Sequence, residues 1–164
     1  MDKFSKFLEE KLMPIGQKIN NIRFLQVIRM AMMPLIPFII AGSFTLIVLN
    51  FPFIDKVLPA GFLEMVGNVL SPLSGTTLSL VAMFLAFLMG YNYAKTEEQK
   101  CEEVYAGITT LVAFLIVSPL SITVGEEVIG GVIPTTYMGS QGMFVALILC
   151  YLVAKVYCKI LSSK

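Results

Sequence analysis

The sequence predicts an all-α membrane protein of about four transmembrane helices preceded by an amphipathic N-terminal helix, with N and C termini cytoplasmic. Three observations carry this. Residues 30–53, 65–94, 104–125 and 128–154 contain no Asp, Glu, Lys or Arg, and each exceeds the ~20 residues that a helix rising ~1.5 Å per residue needs to cross a ~30 Å hydrocarbon core. Composition agrees, because 57% of residues are hydrophobic and 14% charged, where soluble domains carry about 25% charged residues. The basic residues also occupy alternate gaps. Lys3, Lys6, Lys11, Lys18, Arg23 and Arg29 precede the first stretch, Lys95 and Lys100 separate the second from the third, and Lys155, Lys159 and Lys164 follow the core of the fourth. Only Lys56 lies in an opposite gap. Cytoplasmic termini therefore put eleven of the twelve basic residues inside, as the positive-inside rule requires.

Two segments follow: an amphipathic cytoplasmic or interfacial piece, residues 1–29, and a four-span membrane domain, residues 30–164. In the first, Phe4, Phe7, Leu8, Leu12 and Ile15 recur at helical spacing opposite Lys3, Lys6, Glu9, Glu10 and Lys11. Such a helix lies in the headgroup region or folds back onto neighbouring helices. Pro14 and Gly16 end it, and Ile19, Ile22, Leu25 and Ile28 resume a helical period that leads into the first span. The apolar run is too long for a signal-peptide core and lacks a small-residue cleavage site, so the first span is expected to stay as an anchor.

Pro34 and Pro37 then fall inside the first stretch. They either kink the span or sit in a first helical turn, where backbone donors are unpaired anyway. Asn50-Phe51-Pro52 reads as a turn, and residues 57–67 as a short external helix. Ser71 to Thr77 is a polar, breaker-rich lead-in, with the firm part of the second span beginning near Leu78. Residues 95–103, holding Glu97, Glu98, Lys100, Glu102 and Glu103, form a solvated cytoplasmic turn or, less simply, an acidic docking surface. Tyr91, Tyr93, Tyr151 and Tyr157 fit the headgroup level at that side. Gly125 to Pro134 cannot be a regular span and reads as a structured external loop or small hairpin, with the last span running over about residues 142–157.

Small residues mark the packing faces. Ala82, Ala86 and Gly90 fall four apart in the second span, as do Gly142, Ala146, Cys150 and Ala154 in the fourth. Helices associate in lipid through close backbone approach along such stripes, within one chain or between two, so these seven residues are helix-packing and dimer candidates.

Chemistry is sparse. No P-loop, GxSxG or HExxH occurs, no charge lies inside a span, and the chain has no histidine, so no catalytic, substrate-binding or metal-ligating residue is assigned and no cofactor is expected. The net charge of +1 gives no reason for a nucleic-acid partner. Cys101, Cys150 and Cys158 include no CxxC, and the topology puts Cys101 and Cys158 on the reducing side, so no structural disulfide is expected.

Several stretches carry a resemblance. Phe7-Leu8-Glu9-Glu10-Lys11-Leu12-Met13-Pro14-Ile15, Met33-Pro34 with Ala41-Gly42-Ser43, Asn50-Phe51-Pro52, and above all the run from Ile133-Pro134-Thr135-Thr136-Tyr137-Met138-Gly139-Ser140-Gln141-Gly142 to Ala146 resemble the lactose/cellobiose family of membrane permeases. These are the IIC components of the bacterial phosphoenolpyruvate-dependent sugar phosphotransferase system. The resemblance implies a permease of about ten spans in the bacterial cell membrane that dimerises through its N-terminal half. It also implies sugar binding in the C-terminal half, where a histidine and a glutamate orient the hydroxyl that takes phosphate from a phosphocysteine on the IIB protein or domain. No histidine is here to take that role. The chain is therefore read as a truncated IIC component, the scaffold and dimerisation part, inactive alone. The competing reading is a complete four-span assembly or regulatory subunit. A small pore is the poorer third, since no ring of charged or hydroxyl side chains recurs through any span.

Overall fold

The computed structural model describes residues 22–51, 59–96, 101–124 and 127–162. The N-terminal helix expected over residues 4–15 and the acidic residues Glu97 and Glu98 lie outside them. In chain order the elements are α1 (Arg23–Met32), a 3-10 turn (Met33–Leu35), α2 (Ile36–Leu49), α3 (Ala60–Leu78), α4 (Val81–Thr96) and α5 (Glu103–Val117). A β-hairpin follows, β1 (Ser121–Val124) and β2 (Glu127–Gly130), then α6 (Thr135–Met138) and α7 (Ser140–Ser162).

Proline shapes the first helical run. Pro34 is the second residue of the 3-10 turn and Pro37 the second residue of α2. At those positions the missing N–H has no helical partner to lose. The ladder is interrupted, yet each proline sits in the opening turn of its own piece. In α1 the buried face is Val27, Ala31 and, one turn on, Leu35, whereas Ile22 and Leu25 are exposed. Helix α1 packs on α4 through its smaller side chains, and of Ile22, Leu25 and Ile28 only Ile28 meets the core, while Ile19 lies outside the described residues.

Helix α3 also departs from expectation. Residues 71–77 do not form a loose lead-in but lie within a 19-residue helix with Pro72 in its interior. Hydroxyls on this stretch satisfy carbonyls of their own helix: Thr76 Oγ1 donates to Pro72 O at 2.9 Å, Thr77 Oγ1 to Leu73 O at 2.7 Å and Ser74 Oγ to Ser71 O at 3.0 Å. The break falls instead at Ser79 and Leu80, where residues 67–78 meet α4 at 41°.

Two helical runs, Arg23–Leu49 and Ser140–Ser162, are long and apolar enough to cross a membrane, and the bent pair makes a third if it counts as one. The third charge-free stretch yields less helix than expected. Helix α5 has 15 residues, ~22 Å at ~1.5 Å per residue. It stops at Val117 because Pro119 disfavours helical backbone at Ser118, which is extended at ψ 137° while its hydroxyl caps Phe114 O at 2.9 Å. The chain then enters the hairpin, antiparallel with Ser121 opposite Gly130 and Ile122 opposite Ile129.

The core lies among α1, α4, α5 and α7. Helix α4 packs against both α5 and α7, which also touch each other, while α2 packs on α3. Leu85, Met89 and Phe114 are the large side chains buried there. On α2 only Gly42 and Thr45 are buried, and Phe38, Ile40, Phe44 and Ile47 are exposed, a surface suited to hydrocarbon rather than water.

Candidate functional site

The chain's most developed arrangement is the seam where α4 meets α5 and α7. Ala82, Ala86, Ala146, Cys150 and Ala154 have no exposed surface, and Gly90 and Gly142 are buried with them. All seven stripe residues are thus buried in the packed interior of the chain.

Each glycine admits a specific neighbour. A Cβ on Gly90 would collide with Thr110 Oγ1 and the carbonyl oxygen of Ala106, and one on Gly107 would lie 2.8 Å from the Phe87 ring. Helix α4 thus takes Thr110 at Gly90, and α5 takes Phe87 at Gly107. A Cβ on Gly142 would strike the carbonyl oxygen of Tyr137 and lie 3.2 Å from Ala82 Cβ. That contact seats α7 and the α6 turn on α4. Where no side chain intervenes, dispersion and backbone contacts replace the hydrophobic drive that lipid does not supply.

Thr110 is the polar centre of the seam. Its Oγ1 donates toward Ala86 O across the interface at 2.9 Å, and Ala106 O and Gly107 O lie at 3.1 and 2.9 Å. From the third helix, Cys150 Sγ donates to Thr110 O at 3.6 Å. One fully buried threonine therefore links α4, α5 and α7. Sequence reasoning missed it; the only signal was the hydroxyl pair Thr109-Thr110 inside an apolar stretch.

At one end of the seam the Arg23 guanidinium lies 4.8 Å from the Tyr93 ring centroid. Tyr93 meets Tyr151 edge-on at 5.3 Å, and Tyr151 meets Phe24 edge-on at 4.8 Å. Tyr93 is only 3% exposed, covered by these neighbours. An aromatic face turned toward a cation and an edge-to-face partner is favoured in the interior. Cys101 and Cys158 lie against this group, with Cys158 Sγ donating to Cys101 Sγ at 2.7 Å.

The opposite end carries a polar cleft of about 300 Å³ lined by Ser79, Thr135, Thr136, Ser140 and Gln141. It opens where α3 breaks from α4, with Gly139 packed against the backbone of Leu78 and Ser79. A second cavity, about 350 Å³ and apolar, lies beside the 3-10 turn between Pro34, Phe38, Phe84 and Leu111. Among the described residues, no three His, Cys, Asp or Glu side chains gather as a metal ion would need.

The chain is similar to known proteins. A family model described as "Phosphotransferase system, EIIC" matches residues 29–163. The chain is 34% identical over 163 residues to the PTS system oligo-beta-mannoside-specific EIIC component of Bacillus subtilis (strain 168), covering 99% of this chain and 36% of that one. It is 34% identical over 172 residues to the PTS system cellobiose-specific EIIC component of Geobacillus stearothermophilus, covering 99% and 38%. The crystal structure of the transporter ChbC, the IIC component from the N,N'-diacetylchitobiose-specific phosphotransferase system, superposes with a TM-score of 0.75 at 27% identity, over 92% of this chain and 36% of that one. The chain thus spans little more than a third of the length of these relatives.

Proposed function

Because the chain belongs to the phosphotransferase system EIIC family, we propose that it is the N-terminal scaffold part of a bacterial sugar permease. That permease moves a β-linked disaccharide such as cellobiose, chitobiose or lactose with coupled phosphorylation. The observation that carries this reading is the likeness to the ChbC transporter across nearly the whole chain, together with relatives whose names specify cellobiose and oligo-β-mannoside.

In this reading the protein crosses the bacterial cell membrane several times with both termini cytoplasmic. Residues 1–29 form an interfacial segment and residues 30–164 the scaffold. Its partners are lipid, a second copy of the chain and the IIB phosphocysteine protein or domain. Alternating access needs one part that keeps its shape while another moves against it. The Gly90–Thr110, Gly107–Phe87 and Gly142–Ala82 contacts supply that rigidity, because close-packed backbone leaves no room for sliding. With the seven stripe residues covered inside the chain, pairing of two copies uses other, exposed apolar faces.

Two transport measurements test the proposal. Membrane vesicles holding only this chain and the soluble phosphotransfer proteins are expected to accumulate no labelled cellobiose, and uptake would refute a purely supporting role. A chimera with residues 29–163 in place of the matching part of the cellobiose-specific relative is expected to retain uptake. A chimera that inserts at normal levels but moves no sugar contradicts the proposal.

A further inference from the structure

We propose that Cys101 and Cys158 are a redox modification site, a thiol pair that a hydroperoxide converts reversibly into a disulfide joining the start of α5 to the end of α7. The two residues are 57 apart in sequence, yet Cys158 Sγ donates to Cys101 Sγ at 2.7 Å, and both are buried free thiols. A disulfide places its sulfurs ~2.05 Å apart, so the bond draws the two sulfurs only slightly closer than they already stand. Cys150, the remaining cysteine, is engaged elsewhere, donating to Thr110 O.

The two thiols differ in access. Cys101 is 9% exposed and precedes α5 in non-helical backbone, while Cys158 is 2% exposed within α7. Cys101 is therefore the thiol that meets the oxidant. Its thiolate attacks one peroxide oxygen, the O–O bond breaks, and Cys101 becomes a sulfenic acid as the peroxide leaves as water or an alcohol. The Cys158 sulfur then attacks the sulfenic sulfur, forming the S–S bond and expelling hydroxide, which takes up the Cys158 proton as water. Two thiols and one hydroperoxide give one disulfide, one alcohol or water and one further water, with the sulfurs oxidised by two electrons in all. In the orientation proposed above, the pair faces the reducing cytoplasm. Disulfides there are transient and sensing rather than structural.

Chemically the product is a staple. It fixes α5 to α7 beside Arg23 and Tyr93, at the end of the seam away from the polar cleft. Neither the chemistry nor its detection depends on which side of the membrane this end faces.

The test uses the whole chain in detergent, treated with hydrogen peroxide and denatured in excess maleimide. One labelled cysteine and an intramolecular mass loss of about two hydrogens, both reversed by dithiothreitol, are expected, with Cys101 and Cys158 joined in peptides cut at lysine and glutamate. Cys150→Ala should form the same linkage, and Cys101→Ser should not lose the two hydrogens. Three labelled cysteines after peroxide treatment overturn the proposal, as does a linkage through Cys150. Because the unmodified chain alone gives a decisive count, a variant that fails to fold leaves the outcome intact.

Discussion

The side chain of Thr110 reaches across the α4–α5 interface to donate a hydrogen bond to the carbonyl oxygen of Ala86, 2.9 Å away. Both residues are fully buried, and the Gly90 backbone makes room for the threonine one helical turn further on. A polar bond and a steric vacancy therefore fix the same crossing.

Thr110→Val keeps the shape and removes the donor. Interhelical hydrogen bonds within membranes contribute ~0.6 kcal/mol on average and up to ~1.7, so a loss of about 1 kcal/mol is expected. Unfolding in mixed micelles with increasing sodium dodecyl sulfate should show it, and an unchanged midpoint would mean that the bond to Ala86 O contributes nothing to the crossing.

Glycine substitutions should separate sharply by position. Gly90→Ala drives a methyl group into the Ala106 carbonyl and Thr110, and overpacking of this kind costs about 1–3 kcal/mol. At Gly75, inside α3, an added Cβ meets nothing within 4 Å, so Gly75→Ala should stabilise by roughly 0.5–1 kcal/mol through helix propensity. Equal effects in the same assay would show that the seam is not tightly packed.

Enlarging α7 tests its stripe in the same way. Ala154 is fully buried, whereas Val156 two residues on is 58% exposed. Ala154→Leu should destabilise by about 1–3 kcal/mol, and Val156→Leu should leave stability nearly unchanged. A shift in midpoint for the second and none for the first would reverse the assigned faces.

Removing the guanidinium should loosen the aromatic end of the seam. Cation–π contacts contribute ~0.5–1 kcal/mol when exposed and ~2 or more when desolvated, and Arg23 lies over the buried Tyr93 ring. Arg23→Met is expected to lower stability by at least ~1 kcal/mol on that scale. Unchanged stability would mean that Arg23 serves orientation in the membrane alone.

The charge-free stretches and the fourfold spacing of small residues were legible because both follow from local chemistry: lipid excludes charge, and a helix repeats its face every three to four residues. Partner choice was not. Thr109 and Thr110 are identical as letters, yet Thr109 serves Tyr105 O and Tyr157 while Thr110 crosses to α4, where the vacancy at Gly90 receives it. The glycine- and proline-rich run of residues 71–77 reads as a breaker-rich lead-in to the second span, but hydroxyl-to-carbonyl bonds from Ser74, Thr76 and Thr77 hold it helical. The bend falls instead at Ser79, where the backbone near Gly139 comes close. Nor could the sequence show that Arg23, seventy positions earlier, lies over the Tyr93 ring. The spans themselves were less regular than the charge pattern implied, since Pro119 ends α5 early and turns the remainder into β1.

Orientation of the seam in the bilayer gives the most direct test of the account. On a background lacking the three native cysteines, Thr123→Cys in β1 and Ser162→Cys at the end of α7 would be offered a membrane-impermeant maleimide in intact cells. The account predicts labelling of Thr123→Cys at once and of Ser162→Cys only after the membrane is permeabilised; labelling of Ser162→Cys in intact cells, with Thr123→Cys protected, would contradict it.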